Sequence, residues 1–235
     1  MKKFSTSLFI LLLAAVSSVY AQSVEWGLKA GVQMTQFMGS DFEGVLATSS
    51  SRTPEKISSK GGSTFGYTLG GYVRSTENVF LQGELLVSVK GAQLERLSTS
   101  TKTSVQYGQL DIPFSIGYKH NQFEISGGPL LSVQLFENGT LKEFLSQYSN
   151  TPLSFSPYKS YAFGYHAGIG AHFNKLGVNL RYLASIQPVS DMYISYTTAG
   201  SDPQLLEIIF QQNLGWLHLA IYFRVSKYLD NKKPS

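Results

Sequence analysis

The chain has 235 residues, of which 14% are charged and 13% aromatic, with 22 glycines and no cysteine, a composition that favours strands and turns. The absence of cysteine excludes disulfides, thiolate metal sites, thiol nucleophiles and the acylated residue of a lipoprotein. Nineteen Lys and Arg face 15 Asp and Glu; with Lys2 and Lys3 set aside, 17 remain against 15, a near balance that argues against a nucleic-acid partner.

Residues 1–21 read as a secretory signal peptide, with Lys2 and Lys3 as the positive region, "LFILLLAAV" as the apolar region and "VYA" as the cleavage end. Beyond it, period-two alternation marks eight strands. They are predicted at 24–37, 64–74, 79–90, 105–118, 123–136, 161–173, 177–187 and 214–226, within a domain spanning 22–226 and followed by a tail at 227–235. "STEN", "KHNQ" and "NKL" are tight turns, whereas 38–63, 91–104, 137–160 and 188–213 are long. If consecutive strands pair antiparallel, every short turn falls at one end and every long loop at the other. Outer-membrane barrels are sorted in this way, with short periplasmic turns and longer extracellular loops.

Within the loops, "TLKEFLSQY" carries Thr140 and Glu143 at capping-box spacing, and "SDPQLLEIIF" offers Asp202 as a cap and Pro203 at the first helical position. Each predicts a short helix over the barrel mouth, serving as a lid or as a partner site. The first long loop, with "ATSSSRTPEKISSKGGS", is expected to be flexible and polar.

The two faces of the strands differ in kind. One face holds Trp26, Leu28, Val32, Leu69, Leu85, Phe114, Ile125, Ile169, Leu180, Leu219 and Phe223 among others, and no charge. The other holds Lys29, Arg74, Gln82, Glu84, Lys90, Asp111, Glu124, His166, His172, Asn179, Arg181, His218 and Arg224, spaced by glycines. A soluble lipocalin-like barrel would share this periodicity. Glycines on the polar face, strands long enough to cross a bilayer and aromatics at the strand ends favour lipid around the apolar face. Phe37, Tyr161 and Trp216 are expected at one rim, and Tyr118, Phe123, Phe173 and Phe223 at the other.

The expected fold is therefore an all-β, eight-stranded antiparallel transmembrane barrel in the outer membrane, with lipid as its surroundings. Eight strands leave a lumen that side chains can fill. Lys29, Glu84, Asp111 and Arg181 should lie at middle depths and form a neutralising ion-pair network. Glu84 and Asp111 are expected to find their partners across the lumen, in Arg181 and Lys29. No cofactor or metal site is expected, and no catalysis, because only His166 and His218 lie in the outer halves of their strands and no Asp or Ser can be assigned to orient them.

"WGLKAGVQMTQF", "LQGELLVSVKGA", "YGQLDIPFSIGY", "ISGGPLLSV" and "LHLAIYF" together resemble the PorT-like outer-membrane β-barrel family. The most specific marks are the E-L within a strand followed by K-G-A, and the Y-x-x-L-x-I-P strand. The resemblance implies an eight-stranded barrel with a structural or surface-interaction role. Most members of that family have no assigned activity, and the branch that names it is associated with protein secretion, so secretion-system or surface proteins are the partners it suggests. The tail "SKYLDNKKPS" departs from strands that end at a terminal aromatic; Phe223 is the natural candidate for the insertion signal.

Overall fold

The computed structural model describes residues 24–38, 42–48, 51–146, 158–197, 205–212 and 214–227. The predicted signal peptide and nearly all of the predicted tail lie outside these. The strands are β1 (Val24–Phe37), β2 (Phe42–Thr48), β3 (Ser51–Ser75), β4 (Val79–Arg96), β5 (Thr101–His120), β6 (Phe123–Glu137), β7 (Tyr161–Phe173), β8 (Leu176–Ser185), β9 (Ser190–Thr197), β10 (Leu205–Gln212) and β11 (Leu214–Lys227). One short helix, α1, spans Thr140–Ser146.

All pairings are antiparallel, and the sheet closes on itself because β1 bonds to both β3 and β11. The ring runs β1-β3-β4-β5-β6-β7-β8-β11, which gives the eight strands that the alternation predicts. Closure matters in a bilayer, where an open edge would leave backbone N–H and C=O groups without partners. The tight turns after β5 and β7 hold Asn121 and Asn174 at φ values of 54° and 53°, a left-handed conformation that Asn tolerates.

Outside the ring the structure departs from the expectation in three places. The region predicted as a flexible polar loop is a hairpin, in which β2 pairs with the outer part of β3 from Thr48↔Ser51 to Phe42↔Ile57. Pro54 pairs with Val45 of β2 and lies beyond the part of β3 that pairs with β4, which begins at Ile57↔Arg96, so the proline sits where β3 has one neighbour rather than two. The predicted long connection at 91–104 shrinks to Leu97–Ser100, since β4 and β5 continue pairing as far as Arg96↔Thr101. The predicted helix at "LLEIIF" is instead strand β10, paired with β9 from Leu205↔Thr197 to Gln212↔Ser190. The physical reason is that Ile208, Ile209 and Phe210 suit a strand, and β9 supplies the partner that a sequence window cannot see.

The helix α1 falls where predicted, although the hydrogen bond that starts it comes from Asn138, whose Oδ1 accepts from the Thr140 N–H at 3.2 Å. Leu141, Phe144 and Leu145 turn inward. They join Phe37, Ile57, Leu94, Val105, Tyr107, Leu130 and Leu183 in an apolar core inside the outer part of the barrel. Phe37, expected to face lipid at the rim, is 2% exposed in this core. It shares the odd-numbered, inward parity of Lys29 and Gln33. The side chain of Trp216 lies outside the described set, and the other five predicted rim aromatics are exposed.

A prediction arises here. Leu145→Ala should weaken the docking of α1 by about 2 kcal/mol, the low end for a buried Leu truncation at a site able to relax. The eight-stranded ring should keep its resistance to unfolding on unboiled gels, while trypsin cuts faster at Lys142. Unchanged cleavage at Lys142 would show that Leu145 does not hold the helix.

Candidate functional site

Alternation places every second side chain of the ring inside, and there the described residues form three polar clusters stacked beneath the apolar core. The lowest lies near the tight turns. Arg74 donates from Nε to Glu25 at 2.9 Å and from Nη1 to Glu124 at 2.6 Å, and Arg224 reaches Glu25 at 2.8 Å. His172 bonds to Glu124 and contacts the Tyr222 hydroxyl at 2.9 Å. The Arg74 guanidinium also lies 4.6 Å from the centre of the Phe80 ring.

The middle cluster gathers three of the four residues singled out from the sequence. Lys29 Nζ donates to both Glu84 oxygens at 3.2 and 3.1 Å, and Arg181 Nη2 approaches Glu84 Oε1 at 2.8 Å. Gln82 also donates to Glu84. Lys29, Glu84 and Arg181 are 2%, 3% and 1% exposed, so these contacts are dry. The three come from β1, β4 and β8, which brings one carboxylate and two cations together across the width of the barrel.

Asp111 goes elsewhere. It was expected to share Lys29 or Arg181, but it accepts from Lys90 at 2.7 Å and from the Ser132 hydroxyl at 2.6 Å, while Lys90 also donates to Gln109 at 2.9 Å. Lys90 pairs with Tyr107 in the ladder, four residues outward of the Asp111 partner Leu86. Its four-carbon stem spans that diagonal, so a base on the adjacent strand serves after all.

Glu25, Gln109 and Ser132 are further participants that escaped the sequence reading. Glu25 bridges Arg74 and Arg224. Its signal was available, since it shares the inward parity of Gly27 and Lys29 on β1. Ser132 carries no such mark, because a lone Ser in an alternating strand is uninformative. His166 touches the Phe114 carbonyl at 3.1 Å and Ser115 at 3.4 Å, with no carboxylate bonded to either. Among the described residues no group of three or more His, Cys, Asp or Glu could hold a metal ion.

Between the lower and middle clusters lies a gap lined by Lys29, Tyr72, Gln82, Glu124, Arg181 and Tyr222, too narrow for a water molecule. The outer surface is the inverse of this interior. Leu28, Val32, Leu69, Leu85, Ile116, Ile125, Ile169 and Ile221 are all exposed around the ring. So continuous an apolar belt is far beyond what water-soluble monomers tolerate.

Residues 20–191, more than half of the chain, match the family described as "Outer membrane protein beta-barrel domain". The chain belongs to that family. It is an outer-membrane β-barrel, and its apolar belt is the surface that meets lipid. No curated protein sequence matches it. Among solved structures, the "TodX monoaromatic hydrocarbon channel deltaS2 mutant" is 11% identical, with 88% of this chain and 68% of that one covered at a TM-score of 0.30. A TodX deltaS2S3 mutant channel is 10% identical over 85% of this chain and 67% of that one, at 0.29. The OpdQ structure from Pseudomonas aeruginosa is 9% identical over 88% and 98%, at 0.20. Scores this low carry no weight for fold or function, which rest on the family and the geometry above.

Proposed function

We propose that this outer-membrane barrel is a closed, non-enzymatic scaffold that serves a structural or surface-interaction role, with Lys29, Glu84, Asp111 and Arg181 belonging to the ion-pair network that fills its lumen. The observation that carries this reading is the lumen itself: three polar clusters of mostly buried side chains sit beneath an apolar core that includes α1, and the gap between the lower two is narrower than water. Opposed charges in so narrow a space hold each other and leave no wetted path for an ion.

The expected result in a planar bilayer is no stable conductance from the purified barrel at moderate voltage. Steady, ion-selective steps would replace this reading with a narrow pore.

The PorT-like motifs favour a second reading, an accessory of a protein secretion system. Crosslinking in intact cells separates the two. Capture of periplasmic or secretion components supports the accessory role, whereas capture through the segments 137–160 and 188–213 alone supports surface recognition. The signal peptide at 1–21 belongs to the same proposal, since a barrel assembled from the periplasm must first be exported; amino-terminal sequencing of the membrane-inserted protein should begin at Gln22.

A further inference from the structure

The polar clusters of the lumen differ in charge. Counting Lys, Arg, Asp and Glu alone, the lower one sets Arg74 and Arg224 against Glu25 and Glu124, and the outer one sets Lys90 against Asp111. Both are balanced. The middle one sets Lys29 and Arg181 against Glu84 alone, leaving one surplus positive charge among side chains no more than 3% exposed. Part of the unsatisfied hydrogen-bonding capacity of the interior falls in the same place. Arg181 Nε and Nη1 are buried without a partner, and so is Nε2 of His218, the residue paired with Arg181 across the β8–β11 ladder. A buried surplus charge and buried idle donors each carry a penalty, and a bound ion is one ordinary remedy for both.

We propose that the middle of the lumen binds one small inorganic anion of chloride size, held by Arg181 and Lys29 in the gap they line with Gln82. Glu124, on the far side of that gap, is already taken up by Arg74 and His172 and does not neutralise the surplus. The gap is closed to water as the side chains stand, so binding requires Lys29, Gln82 and Arg181, all bonded to Glu84, to shift around the ion. Because no wetted path leads to it, the anion enters as the barrel folds and afterwards exchanges slowly. The site adds a ligand to the closed barrel without making it a channel.

The test is refolding of the full mature chain into detergent at constant ionic strength, with chloride exchanged stepwise for gluconate, which is too large for the gap. Urea titration gives the folding constant at each step. One anion taken up on folding makes that constant rise about tenfold for each tenfold rise in chloride once the site is nearly saturated. Lys29→Met and Arg181→Met each leave Glu84 with one cation, so both variants should fold and lose the chloride dependence. Crystals of protein refolded in bromide should show an anomalous peak beside the Arg181 guanidinium.

Equal stability in both salts overturns the proposal. So does a chloride dependence shared equally by the wild type and both variants, which would be a general salt effect. A third outcome also overturns it: stability indifferent to chloride that rises with pH in the wild type but not in Lys29→Met, because the surplus charge would then be relieved by loss of the Lys29 proton.

Discussion

Glu84→Gln should destabilise the barrel by about 3–5 kcal/mol in gluconate, the range for removing one partner of a buried ion pair. The geometry places it at the upper end. Glu84 is the shared acceptor of Lys29, Arg181 and Gln82, so its neutralisation strands two cations rather than one. If Glu84 paired with Arg181 alone, the double variant Glu84→Gln with Arg181→Met would lose less stability than the two single losses summed, because it strands neither charge. The triad changes that expectation. The double variant still leaves Lys29 buried without a carboxylate and should recover only part. Addition of Lys29→Met removes the last stranded charge, and an apolar replacement of a whole buried cluster is often neutral in stability. Urea unfolding of the single, double and triple variants measures this directly. Losses that merely add from one variant to the next would mean that the three residues are not energetically coupled, whatever their distances.

Much of this arrangement was legible because a strand has a period of two. Within each strand one face carries the charges and the other none, and the inward positions of Arg74, Gln82, Glu84, Asp111, His172 and His218 all came from that alternation. Parity says which face a side chain takes, not which residue it meets across the ring. Asp111 was therefore placed on the right face but given the wrong partner, because the diagonal reach from Lys90 depends on the stagger between β4 and β5. The outer part of the barrel was harder to read for a different reason. There the strands leave the bilayer and the interior turns apolar, so the contrast between faces fades. At Lys90, Gly91 and Ala92, and again at Tyr107, Gly108 and Gln109, three consecutive residues are buried. The β9–β10 hairpin was missed because neither strand has a polar lumen to alternate against.

The largest contrast should come from two neighbouring glycines. Gly70→Ala should prevent the ring from closing, whereas Gly71→Ala should be tolerated. At Gly70, on the inward face of β3, an added Cβ would lie 1.9 Å from the Leu85 carbonyl oxygen and 2.8 Å from the Leu86 Cα. Both are backbone atoms of the strand that β3 must pair with, so neither can rotate away, and relief requires β3 and β4 to separate. Overpacking in a rigid interior costs about 1–3 kcal/mol when side chains absorb it, and a backbone clash should exceed that range. At Gly71 the side chain would point toward lipid, where the nearest atom is the Gly27 carbonyl oxygen at 3.4 Å, an ordinary contact. Neither residue sits at a positive φ, so backbone strain does not separate them, and the difference is purely one of which face is crowded. On an unboiled detergent gel the Gly71→Ala protein should keep the compact, fast-migrating form of a closed barrel, and Gly70→Ala should run as the unfolded chain. If both variants fold equally well, the lumen is looser than these contacts imply, and the closed-barrel reading loses its main physical support.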